Sequence, residues 1–261
     1  MGVDGECRHV VERRAGYEVD TVGRFEIACV PAFSDNYHWL AKVGDDVAVV
    51  DPGDGAACLK AAEALGWTIT HVLNTHWHPD HVGGNLAVKE ATGATILGPA
   101  PEADKIPGID TELEEGDTAR LGGAAADVWH IPGHTLGHIA YHFAEDGLVF
   151  CGDTIFAMGC GRLFEGTPEQ MHDSLRRFAD LPDDTLLYCA HEYTEANGRF
   201  ALTADPDNAD IAERQDRVKA IRAAEKRTVP TTVADEKATN VFLRAPDAFS
   251  LAKLREAKDR F

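Results

Sequence analysis

With 261 residues, 44% of them apolar and 26% charged, the chain can bury a sizeable core as one large domain or as a domain with a smaller companion. Lys and Arg number 25 against 44 Asp and Glu, a formal net charge of -19, which disfavours electrostatic binding to nucleic acid or to an anionic membrane. No apolar run reaches the roughly 18 residues of a membrane span, and the first residues mix Arg8, Arg13 and Arg14 with Asp4, Glu6, Glu12 and Glu18, so no export or import signal is expected.

Residues 1–23 show no clear period and read as a tail or lead-in. From Arg24 the pattern turns β-like: Phe25 to Phe33, a turn at Ser34-Asp35-Asn36-Tyr37, His38 to Val43, a tight turn at Gly44-Asp45-Asp46, then Val47 to Val50. Asp51-Pro52-Gly53-Asp54-Gly55 ends that strand. Ala56 to Leu65 reads as a helix, with Gly66 just past its end where left-handed geometry suits glycine. Thr70 to Asn74 is a short apolar strand that runs into Thr75-His-Trp-His-Pro-Asp-His81. Gly83-Gly84-Asn85 follows, then a helix over Leu86 to Thr92 closed by Gly93, and a strand over Ala94 to Gly98. Pro99 to Asp117 is rich in Pro, Gly and acid and reads as a surface loop with one short element.

Three later passages repeat one plan. Val128 to Ile131 runs into Pro132-Gly133-His134, Leu148 to Cys151 into Gly152-Asp153, and Leu186 to Ala190 into His191. Counting Thr70 to Asn74, four apolar strands each end in a potential ligand, and strands alternating with short helices suggest two packed sheets with helices outside. After Glu192 the composition changes: Tyr193 to Thr203, Asn208 to Thr228 and Ser250 to Phe261 look helical, joined by Val229-Pro-Thr-Thr232. A boundary near residue 192 is expected.

His76, His78, Asp80 and His81 fall within six residues, and imidazole and carboxylate are the ligands that zinc prefers. In an extended chain His76 and His78 point the same way and can close on one ion. Pro79 turns the backbone and re-aims Asp80 and His81, so two pairs aimed apart suggest two ions. The competing reading is a polar, histidine-rich loop. His134, Asp153 and His191 are each weak signals alone, but together with the motif they make five histidines and two carboxylates. That set can hold two ions with room for water and substrate, and Asp153, with two oxygens, could bridge them. Of the other histidines (His9, His38, His71, His130, His138, His142, His172), only His138, four after His134, is a candidate to orient a ligand. The six cysteines are scattered, without a Cys-x-x-Cys pair, as expected of reduced thiols in the cytoplasm.

Thr75-His-x-His-x-Asp-His81 with the downstream His, Asp and His resembles the metallo-β-lactamase superfamily, which implies an α/β fold, the αββα sandwich. Five further stretches resemble glyoxalase II, the hydroxyacylglutathione hydrolases: Pro132-Gly-His-Thr-Leu-Gly-His138, Cys151-Gly-Asp-Thr-Ile-Phe156, Gly159-Cys-Gly-Arg-Leu-Phe-Glu-Gly-Thr167, Ala190-His-Glu-Tyr-Thr194 and Ala238-Thr-Asn-Val-Phe-Leu-Arg244. The resemblance implies a catalytic domain over 24–192 and a smaller helical, glutathione-binding domain over 193–261. It implies that His76, His78 and His134 hold one divalent ion and Asp80, His81 and His191 the other, with Asp153 and a shared water between them. Zinc is the first choice of metal, with iron or manganese as alternatives. Glutathione would be gripped by Arg162, Phe164 and Tyr193 and by Arg255 and Lys258, which are three apart and could meet a carboxylate together. Phe164 lacks the hydroxyl that some relatives carry there and offers ring packing only.

The reaction implied is hydrolysis of S-(2-hydroxyacyl)glutathione, such as S-lactoylglutathione, the second step of methylglyoxal detoxification, by a monomer. Three rivals share the opening motif: a glutathione persulfide dioxygenase with a single iron, a zinc β-lactamase, and a non-catalytic metal-binding module.

Overall fold

The structure, a computed structural model, describes residues 9–261. Its compact units are one that runs to Val128 and includes Tyr141–Leu148, and one made of Trp129–Ala140 and Val149–Phe261. Among the described residues no helix is long and apolar enough to cross a membrane.

In the first unit eight strands form one sheet in sequence order: β1 (Val10–Arg14), β2 (Tyr17–Val22), β3 (Phe25–Ala32), β4 (Asn36–Val43), β5 (Asp46–Val50), β6 (His71–Leu73), β7 (Thr95–Pro99) and β8 (Thr111–Leu113). Residues 10–22, read from the sequence as part of a lead-in, are thus two strands of the sheet; residues 1–8 of that stretch lie outside the described ones. The turn between them is Ala15-Gly16, both at positive φ (49° and 91°), the two-residue hairpin geometry whose twist matches the flanking strands. Its partner strand buries Val19, Asp20 and Val22, and Asp20 pairs with His9 at 3.1 Å. The pattern is legible only once Asp20 is counted as an inward residue with its own partner.

Pairing is antiparallel from β1 to β5 and parallel from β5 to β8. The parallel half needs helical crossovers. One is α1 (Gly55–Leu65), capped by the Asp54 side chain at its start and by left-handed Gly66 at its end. The next crossover holds α2 (Pro79–Val82) and α3 (Asn85–Thr92), which ends at left-handed Gly93. Cys58, Ala61 and Ala62 of α1 and Val88 of α3 bury against Val30, Leu40, Val49, Val72 and Ile96 of the sheet. Small residues at i, i+3 and i+4 let that helix lie close to the strands.

A second sheet has the order β16-β15-β12-β11-β10-β9, from β9 (Thr118–Leu121), β10 (Ala124–His130), β11 (Ile139–Phe143), β12 (Leu148–Gly152), β15 (Leu186–Cys189) and β16 (Thr231–Thr232). A short hairpin, β13 (Ile155–Phe156) and β14 (Gly159–Cys160), stands apart from it. Helix α4 (Pro168–Ala179) starts in a capping box between Thr167 and Gln170. The helices expected after residue 192 are α5 (Thr194–Ala204), α6 (Ala209–Ala223) and α8 (Ala248–Asp259), and a seven-residue α7 (Val233–Thr239), not expected from the sequence, follows the connection Val229-Pro-Thr-Thr232.

Candidate functional site

In the first unit the parallel register lines up Val50, Leu73 and Leu97, so the chains after β5 and β6 leave the sheet side by side. Asp51 and Thr75 therefore meet: Asp51 accepts from the Thr75 N–H at 2.8 Å and from its hydroxyl at 2.7 Å. The same carboxylate lies 3.1 Å from His81 Nδ1. His76 Nε2 is 3.0 Å from His78 Nδ1, and the His76 and His81 rings are 4.1 Å apart. Pro79 opens α2, whose single turn carries Asp80 and His81. Asp80 accepts from Asn36 at 3.0 Å and lies 3.5 Å from His81 Nε2. Between the first two histidines the Trp77 N–H donates to buried Glu102 at 3.0 Å.

In the second unit Asp153 follows β12 and His191 follows β15. Asp153 Oδ2 is 3.4 Å from His134 Nε2 and 3.3 Å from His191 Nε2, and all three residues are buried. His134 Nδ1 donates to the Arg162 carbonyl at 2.9 Å, which directs its Nε2 toward Asp153. His138, fully buried, accepts from the Asp153 N–H at 3.1 Å and so fixes the backbone of that aspartate rather than the ring of His134. Gly161 packs against the Asp153 carbonyl so closely that a Cβ would stand 2.0 Å from it.

Of the residues expected to bind substrate, Tyr193 stacks on His191 at 4.7 Å and 4°, and Phe164 meets His134 edge-on at 5.3 Å. Arg162 and Phe164 are exposed. Arg255 is buried: it donates to the Cys160 carbonyl at 3.0 Å and to Asp259 at 3.1 and 2.8 Å. Lys258 donates to the Ala196 carbonyl at 3.0 Å. Burial, then the cations Arg255, Arg199 and Arg162, lower the Lys258 ammonium from 10.5 to about 8.

The donor sets suit divalent cations. Tetrahedral zinc with nitrogen ligands near 2.0–2.1 Å spaces neighbouring donors by about 3.3 Å, which the 3.0 Å in the first unit and the 3.3 and 3.4 Å in the second approach. Asp51 is not singled out by the sequence, yet it accepts from Thr75, lies 3.1 Å from His81 and shares a buried cluster with His76 and His81. Its signal was an acid directly after a buried strand, as with Asp153. The remaining histidines have structural partners: His38 accepts from the Asp54 N–H at 3.1 Å, and His130 and His172 donate to the carbonyls of Leu136 and Ala245.

Residues 34–191 match the family described as the Metallo-beta-lactamase superfamily, and residues 192–261 match the Hydroxyacylglutathione hydrolase C-terminus. A hydroxyacylglutathione hydrolase of Hyphomonas neptunium is 49% identical over 252 residues, covering 90% of this chain and 98% of that protein. One of Rhodospirillum rubrum is 52% identical over 225 residues, covering 85% and 88%. Among solved structures, ETHE1 from Myxococcus xanthus superposes with a TM-score of 0.67 at 27% identity over 89% of each chain. The BLEG-1 B3 metallo-beta-lactamase superposes at 0.64 with 19% identity, covering 83% of this chain and 99% of that one, a likeness of fold alone.

Proposed function

Because the chain belongs to the metallo-β-lactamase superfamily and, within it, to the hydroxyacylglutathione hydrolases, we infer that it hydrolyses S-(2-hydroxyacyl)glutathione to a 2-hydroxy acid and glutathione. The observation that carries this is similarity near 50% identity along most of the chain to proteins of that name, joined to a separate match of the C-terminal segment. The single-iron dioxygenase and the non-catalytic module are not favoured by these relatives.

We read residues 24–192 as the catalytic domain and 193–261 as the part that binds glutathione. His76, His78 and His134 would hold one cation, Asp80, His81 and His191 the other, and Asp153 would bridge them. Two bound cations would supply Lewis acidity and bring the pKa of water toward neutrality. The chain's own groups prepare for this. The Asp51 carboxylate lies 3.1 Å from His81 Nδ1, and the Arg162 carbonyl sets His134. A thiolate leaving group needs little protonation, so the absence of an assigned general acid is no obstacle. Arg162, Phe164 and Tyr193 are assigned to the glutathione chain and Arg255 with Lys258 to its carboxylate, although Asp259 already engages Arg255. Zinc is the proposed metal, and a cytoplasmic monomer the proposed form.

Elemental analysis together with an S-lactoylglutathione assay tests the reading. Two divalent ions per chain and thioester cleavage are expected, with metal content and turnover falling together in Asp153→Ala. One iron per chain and oxygen uptake with glutathione persulfide would overturn it.

A further inference from the structure

The hairpin β13–β14 joins two functional assignments. Its strands pair Ile155 with Cys160 and Phe156 with Gly159, and the Gly161 N–H extends the ladder to the Thr154 carbonyl at 3.1 Å. Asp153 and Arg162 consequently flank the open end of the hairpin, and Gly161 lies against the Asp153 carbonyl. Along the hairpin, Phe156 presents its ring edge-on to His191 at 5.8 Å and to Tyr193 at 5.1 Å.

Side chains of the C-terminal segment bind the closed end. Asn240 Nδ2 donates to the Phe156 carbonyl at 3.2 Å and to the Gly159 carbonyl at 2.9 Å. Asn197 donates to the Ala157 carbonyl at 3.1 Å, Arg255 to the Cys160 carbonyl at 3.0 Å, and the Met158 N–H donates to Glu236 at 2.9 Å. Met158 is a non-glycine residue at φ 60°, a left-handed conformation that persists only where its surroundings fix it. Glu236 is fully buried and also accepts from Asn240 at 2.8 Å, Arg214 at 2.7 Å and Thr231 at 2.6 Å, so its carboxylate is itself immobilised. Strands of two residues cannot set their own position, whereas a turn whose backbone groups are bound one after another by buried side chains is fixed at both ends.

We propose that Asn197, Glu236 and Asn240 are positioning residues that hold this hairpin, and through it set Asp153 and Arg162 for metal and substrate. This rests on the assignment of Asp153 to the metals and gives the segment 233–244 a role other than gripping glutathione. The outer partners of metal ligands are worth about 10–100-fold in affinity or activity.

The test compares Asn240→Ala with Val218→Ala, a buried α6 side chain that destabilises the same helical segment without a hydrogen bond to the hairpin. Zinc affinity is read by chelator competition, kcat and KM with S-lactoylglutathione, and amide exchange over residues 155–160. In Asn240→Ala, zinc should bind about ten-fold more weakly, kcat should fall, KM should rise, and the 155–160 amides should exchange faster. Val218→Ala at matched Tm should keep wild-type values. If Asn240→Ala does not fold, Asn197→Ala, which removes one contact, carries the same expectation. Equal zinc affinity and kinetics in the hairpin variant and the control would overturn the positioning role. Wild-type turnover that is lost in Asp153→Ala would leave the hydrolase reading standing in that case, so the two failures are separable.

Discussion

Asp51 shows how much one side chain can organise. Held at φ 49°, a conformation that short polar residues tolerate, it receives two bonds from Thr75 and lies 3.1 Å from His81 in a buried site. Asp51→Asn keeps the shape and the backbone preference but loses the charge and one acceptor. Urea unfolding should show a loss of about 1–3 kcal/mol, the cost of leaving a buried donor unsatisfied. Lys258 makes a prediction about pH. The groups around it are Arg255, Arg199, Arg162 and Asp259, and burial with the three cations lowers its pKa to about 8. Below that value the ammonium is charged and attracts a carboxylate; above it the charge is lost. The KM for the glutathione thioester should therefore rise as pH passes through about 8, and Lys258→Arg, charged throughout, should flatten that rise. His76, His78 and His81 stand out in the sequence because of their density in one loop. Asp51, Glu102 and Glu236 do not, since their partners lie 24, 25 and 78 positions away.

Elements with a clear period or a clear stop were readable from the chain alone. Helix α1 lies within one residue of its expected start because glycine closes it and an apolar stripe defines it, and the strands that deliver Asp51, His76, Asp153 and His191 are apolar runs cut off by polar turns. Several elements that escaped are too short to carry a period: α7 has seven residues, and β13, β14 and β16 have two each. The five-residue β11 and the twelve-residue α4 escaped as well, α4 even though Thr167 and Gln170 form a capping box at its start. The glycines around the ligand loop show what the packing of these elements demands. A Cβ on Gly53 would lie 1.8 Å from the Asp80 carbonyl oxygen, a backbone atom that cannot swing aside. Gly53→Ala should displace α2 and with it Asp80 and His81. Thermal unfolding should fall by the equivalent of about 3 kcal/mol or more, with zinc affinity reduced in the surviving folded fraction.

At the scale of the molecule, the sequence expectation of an α/β metallo-β-lactamase fold with helices after residue 192 matches the fold found, and the first strand pair is the largest piece of the first sheet that it left out. That pair was obscured because β1 buries almost nothing: Val10 and Val11 are 46% and 50% exposed, and the rest of the strand is Glu12, Arg13 and Arg14. Among the described strands β1 has a neighbour on one side only, so its outer row of amide and carbonyl groups offers a template to any other polypeptide. Its side chains guard against this, with Arg14 ion-paired to Glu12 and Glu26. Replacing Glu12, Arg13 and Arg14 by threonine would leave a valine-bearing rim without charge. Light scattering and thioflavin fluorescence should then report concentration-dependent polymerisation that the parent protein does not show. On that expectation, a few charges along one rim decide whether individual molecules stitch themselves into fibres.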